Sequence, residues 1–120
     1  MSKYKPKEYV AKRYFSVDVE TPPKRARERL KQRRRFGYDD SELWNLDHTV
    51  LTFLLPRLKY FRDESPGYPG KLNSMEEWEA EMDTAISAIE RLIAWNIDTE
   101  IEDRKIVSKF LGEYFFHLWW

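Results

Sequence analysis

Cysteine is absent from this 120-residue chain, which excludes disulfides, thiolate nucleophiles and cysteine-based zinc sites. Histidine is scarce: only His48 and His117 occur. His48 stands beside Asp47, but a Glu-x-x-His pair would need an acid at position 45, where Asn45 stands, so no metal site is expected. The four glycines form no Gly-rich phosphate loop, and no serine sits in a nucleophile elbow. No apolar run approaches the ~20 residues of a membrane span. The opening Met-Ser-Lys-Tyr-Lys-Pro-Lys offers no apolar signal segment. These absences lead us to expect a soluble, cytoplasmic, single-domain protein without cofactor or membrane partner, and with no catalytic motif.

What is present is charge and aromatic area. Residues 1–35 carry 13 Lys/Arg against 4 Asp/Glu, and residues 36–120 carry 8 against 17. A formal net charge of zero therefore conceals +9 on one segment and −9 on the other. Such asymmetry predicts a basic tail that seeks an anionic partner or lies on the chain's own acidic body. Aromatic residues make up 16%, with five tryptophans. Rings of that size serve cores and also contact sites.

Residues 1–8 read as a basic arm, and Phe15, Val17 and Val19 alternate with polar residues in a short strand signal over 14–20. A lone strand is unstable; it must pair with Tyr9–Ala11, with another chain, or with nothing. Pro22-Pro23 opens a helix at Lys24. In residues 24–35 only Ala26 and Leu30 are apolar, and the cations spread round the circumference. Gly37 marks its stop. Asp40 or Ser41 is then expected to cap a long helix with Leu43, Leu46, Val50, Leu54, Leu58 and Phe61 in register. Trp44, Leu51, Phe53 and Leu55 widen that stripe to most of the circumference, predicting the most buried helix, kinked at Pro56.

Residues 63–70 form a Pro/Gly loop. Ser74-x-x-Glu77 and Thr99-x-x-Glu102 have capping-box spacing. The first opens a helix facing inward through Met75, Trp78, Met82, Ala85, Ile86, Ile89, Leu92 and Ile93. The second opens a helix through Ile106, Val107, Phe110, Leu111, Tyr114, Phe115 and Leu118, running almost to the end. The expected fold is mainly α. It is a small antiparallel helical bundle over 36–120, preceded by a basic arm and helix over 1–35 that can include a short strand.

Three stretches have a familiar look: Trp44-Asn-Leu-Asp-His-Thr49, Pro56-Arg-Leu-Lys-Tyr-Phe61, and Gly67-Tyr-Pro69. With Trp78 and Leu118-Trp119, they resemble a family of small uncharacterised bacteriophage proteins. The likeness covers roughly residues 36–120 and leaves out the basic start. It implies a viral origin and a place in the cytoplasm of a bacterial host. It carries no established activity, so no functional residue is transferred. By analogy with small phage accessory proteins, the expected function is non-enzymatic. It is binding of a host component, foremost inhibition of a bacterial defence system. The alternatives are a nucleotide-binding sponge or Mg-dependent nucleoside triphosphate pyrophosphatase, and a nucleic-acid-binding accessory protein.

Several constellations bear on these readings. Glu76-x-x-Glu79 and Glu100-x-x-Asp103 have the spacing of helical Mg²⁺-binding carboxylates, though acids at a helix start also complement its dipole. The run Arg25, Arg27, Arg29, Lys31, Arg33, Arg34, Arg35 suits a salt-bridged seam against the Glu76–Asp83 helix. It also suits phosphate contacts on nucleic acid, an anionic nucleotide, or an acidic protein. Tyr38, Asp39, Asp40 and Trp44, with Tyr68, can stack on and hydrogen-bond a base, dock a host protein, or merely cap a helix. Tyr114, Phe115, Phe116, Leu118, Trp119 and Trp120 make an apolar terminus, from which a homo-oligomer is expected. The competing arrangement folds Trp119 and Trp120 back on Phe53 and Phe61.

Overall fold

A computed structural model describes residues 23–119. The predicted arm, the strand signal at 14–20 and Trp120 lie outside the described residues. Within them the chain is mainly helical: α1 (Pro23–Phe36), α2 (Leu46–Glu64), α3 (Met75–Ile93) and α4 (Glu100–Tyr114), with short 3-10 turns at Asp40–Leu43 and Phe115–His117. No strand occurs among them. No described helix is long and apolar enough to cross a membrane. The chain divides between Phe53 and Leu54 into two compact units.

In the N-terminal unit, Pro23 occupies the first position of α1, where its missing N–H costs nothing. Gly37 ends the helix, with φ +86° and its N–H donating to the Arg33 carbonyl at 2.9 Å. The cap expected at Asp40 or Ser41 is instead Asp39, and what it opens is the 3-10 turn, not the long helix. Ser41 N donates to Asp39 Oδ1 at 2.9 Å, and Asp39 N donates to Glu42 Oε2 at 2.8 Å. This reciprocal box satisfies donors that a helix start would leave unpaired. Helix α2 starts only at Leu46, so Leu43 and Trp44 precede it.

The C-terminal unit contains the rest of α2 with α3 and α4. The most buried helix is α3, not α2. Trp78, Met82, Ala85, Ile86, Ala88 and Ile89 of α3 are buried, whereas the α2 stripe buries Leu58 and exposes Leu46, Val50 and Phe53. The physical reason is angular. Apolar residues on α2 run round most of the helix, and no single neighbour can cover them all; those on α3 share one face. Helix α2 runs on across Pro56.

Helix α4 buries Val107, Phe110 and Tyr114. Trp78 near the start of α3 stacks on Phe110 (centroids 6.1 Å) and tilts against Tyr114 (5.1 Å). At the other end Arg91 meets Asp103, so α3 and α4 are antiparallel. Lys59–Glu90 at 2.9 Å and Arg62–Asp83 at 2.9 Å set α2 antiparallel to α3 in the same way.

Three further expectations are corrected. Ser74 Oγ does accept from Glu77 N at 3.2 Å, but the Glu77 carboxylate takes the Asn73 N–H at 2.8 Å, one residue before the box position. Thr99 makes no side-chain cap. Its ψ of 0° is not extended, and its hydroxyl donates to Asp103 Oδ2 at 2.7 Å. Helix α4 also stops at Tyr114, and the tighter turn that follows leaves Phe115 and Phe116 exposed.

Candidate binding surfaces

Spacing along α1 sorts its cations into two groups. Arg25, Arg29 and Arg33 recur every four residues and share a face with Gln32. That face meets the Asp39-Asp40 turn. Arg29 Nε donates to Asp40 Oδ1 at 3.2 Å, and its guanidinium lies 4.7 Å from the centre of the Trp44 ring. Arg33 Nη1 donates to Asp39 Oδ2 at 3.1 Å, and Arg25 stands 3.7 Å from Asp40 Oδ2. Gln32 completes the turn by accepting Asp40 N at 2.7 Å. The expected seam therefore exists, but its acids are Asp39 and Asp40. Glu79 and Asp83 of the Glu76–Asp83 segment take Arg62 instead.

Asp39 is almost wholly buried, and Ser41 Oγ and Arg33 also donate to it. An alanine there removes the acceptor of three hydrogen bonds. Asp39→Ala is expected to cost ~2 kcal/mol, read as a lower midpoint in urea. The base-stacking cluster expected at Tyr38, Asp39 and Trp44 is thus partly spent on structure. Tyr38 is exposed and tilts against Phe36 at 6.3 Å. Arg34 and Arg35 lie outside the seam, exposed, with Arg35 5.1 Å over the Phe36 ring.

Tyr68 belongs to the C-terminal unit. With Pro66, Pro69, Trp78, His117 and Trp119 it lines a cavity of about 200 Å³. Trp119 lies against the Pro/Gly loop there and remains largely exposed. Beside the cavity, burial pushes the Tyr114 phenol above its ordinary value, reinforced by Glu81, Glu113 and Glu77. Lys71 Nζ sits 4.5 Å from the Tyr114 ring centre.

Three of the four carboxylates considered for Mg²⁺ have other partners. Arg91 grips Asp103 through Nε at 3.0 Å and Nη2 at 2.8 Å. These hydrogen bonds, with that of Thr99, hold the Asp103 carboxyl below its usual range. Glu100 takes Arg104 at 2.7 Å and Glu79 lies 3.9 Å from Arg62. No group of three His, Asp or Glu residues able to hold a metal occurs among the described residues.

One surface was not anticipated. Helix α3 ends in a Schellman motif: Asn96 N donates to the Arg91 carbonyl at 3.1 Å and Trp95 N to that of Leu92 at 3.1 Å. The motif demands a left-handed residue, and Trp95 supplies it at φ 58°, where glycine is ordinarily found. Trp95 is 62% exposed, and Ile97 and Ile101 beside it in sequence are 82% and 69% exposed. Periodicity hid this feature, since Trp95 falls outside the α3 stripe. Counting from the Thr99 start of α4 would have exposed it, as a tight turn there leaves a tryptophan where glycine is preferred. No protein-family model, curated protein or solved structure matches this chain.

Proposed function

We propose that this is a non-enzymatic phage accessory protein that binds a host protein, in the service of countering a bacterial defence system. The phage origin rests on the sequence resemblance. The observation that supports binding is Trp95. A left-handed backbone costs a non-glycine residue ~1 kcal/mol or more, and strain of that kind concentrates where function demands it. Here it presents a large ring to solvent. Tryptophan is among the commonest anchors of protein interfaces, and Ile97 and Ile101 extend the apolar area. The exposed acids Asp98 and Glu102 border it, so the fitting partner is an apolar pocket with a basic rim. The partners of Asp103, Glu79 and Glu100 favour binding over hydrolysis.

Trp95→Gly separates binding from folding. It relieves the left-handed backbone, which offsets the contacts the ring gives up, so stability is expected to stay within ~1 kcal/mol of wild type. The same substitution removes the anchor. Tagged wild-type and Trp95→Gly protein would be incubated with bacterial lysate and captured proteins compared by mass spectrometry. A host protein recovered by the first and lost from the second supports the reading. Equal capture by both defeats it, and so does sedimentation showing that the tip serves only to join two copies of this chain.

A further inference from the structure

The division of α1 into two faces has a consequence independent of Trp95. Opposite the seam, Lys24, Arg27, Lys31, Arg34 and Arg35 are exposed. At 100° per residue they fall within about 100° of arc. None of them has a carboxylate partner among the described residues. Glu28 is the helix's only acid.

We infer that this outer stripe of α1 is a binding site for the phosphodiester backbone of duplex nucleic acid. The match is one of line density. Five cations over ~16 Å of helix amount to about one per 3–4 Å, and each strand of a duplex carries one charge per ~3.4 Å. Three of the five are arginines, whose planar fork suits phosphate oxygens. The stripe holds no aromatic or long aliphatic side chain to enter a lipid interface, which sets it apart from membrane-binding helices. The opposite face is occupied by the Asp39-Asp40 turn, so α1 lies along the backbone and does not bury itself in a groove. Such contacts position a protein without reading sequence.

The test is fluorescence anisotropy with the full chain and two unrelated duplexes of about 20 base pairs, titrated across salt concentrations. Both duplexes are expected to bind with equal affinity. The variant Arg27→Gln/Lys31→Gln/Arg34→Gln/Arg35→Gln should lose at least about tenfold in affinity at low salt. Its plot of log affinity against log salt should become shallower by about 3–4, roughly 0.9 per cation removed. These side chains contact little, so circular dichroism should be unchanged. A second variant, Arg27→Lys/Arg34→Lys/Arg35→Lys, keeps the charge and should keep most of the binding. Arg25→Gln, on the seam face, should bind within about twofold of wild type. Binding of the fourfold variant equal to wild type overturns the inference. So does wild-type binding to vesicles of anionic phospholipid with none to either duplex. Loss of duplex binding would leave Trp95-dependent protein capture untouched, so the two proposals fail separately.

Discussion

Trp78→Ala is expected to lose ~3–5 kcal/mol of stability, lowering Tm by roughly 15–30 °C for a unit of this size. Trp78 is 1% exposed. It joins α3 to α4 through Phe110 and Tyr114, which also meet each other at 5.5 Å. It forms part of the floor of the cavity behind Tyr68 as well. Alanine would leave a void bounded by rings anchored on a second helix, which cannot easily collapse into it. Thermal unfolding followed by circular dichroism decides the point. A loss below about 1 kcal/mol would mean that the three rings do not form the centre of the unit.

Asp103→Asn should be the most damaging polar substitution, at ~2–3 kcal/mol near neutral pH. The carboxylate is 1% exposed and takes both the Arg91 fork and the Thr99 hydroxyl. An amide can satisfy only part of that donor set. Arg91 itself reaches solvent, which keeps the loss below that of a fully buried pair. Asp103 also fixes a pH dependence. Its pKa is lowered in the folded protein, chiefly by Arg91. Its stabilisation is therefore complete above the unfolded value of about 4 and is lost as pH falls through the lower folded value. The wild type should accordingly approach the stability of Asp103→Asn as pH falls through that lowered folded value. A gap between them that stays constant from neutral pH down through that value would remove the ion pair from the account.

The sequence made the α3–α4 hairpin legible because each helix keeps its large apolar residues on one face. Trp78, Met82, Ile89, Val107, Phe110 and Tyr114 are buried as their spacing predicts. It misled at α2, where periodicity was satisfied on every side and could not say which side would be covered. The cap was expected at Asp40 or Ser41 and lies at Asp39, because neighbouring residues of similar capping propensity give periodicity nothing to discriminate. Charge totals pointed correctly to a seam on α1 but missed its partner, because a turn four residues past the helix outcompetes acids far along the chain. Arg25, Arg29 and Arg33 at intervals of four, followed by Asp39-Asp40, are the signal that identifies the nearer partner. The candidate surfaces were hardest to see. Trp95 is informative only once its backbone conformation is known, and the outer stripe only once the inner arginines have been assigned.

The short connection over 94–99 also governs how the molecule reaches its fold. Arg91 and Asp103 are separated by few residues, so bringing them together costs little chain entropy. Pairs farther from the turn, up to Trp78 with Tyr114, can then form in order, each closing a loop that its predecessor has shortened. Chain entropy thus favours the ion pair beside the turn over the ring contacts as the first to form. Assembly that begins with near neighbours is rapid and keeps exposure of unpaired apolar surface brief. In this chain, whose rings are many and whose formal net charge is zero, that order of events is a safeguard against aggregation.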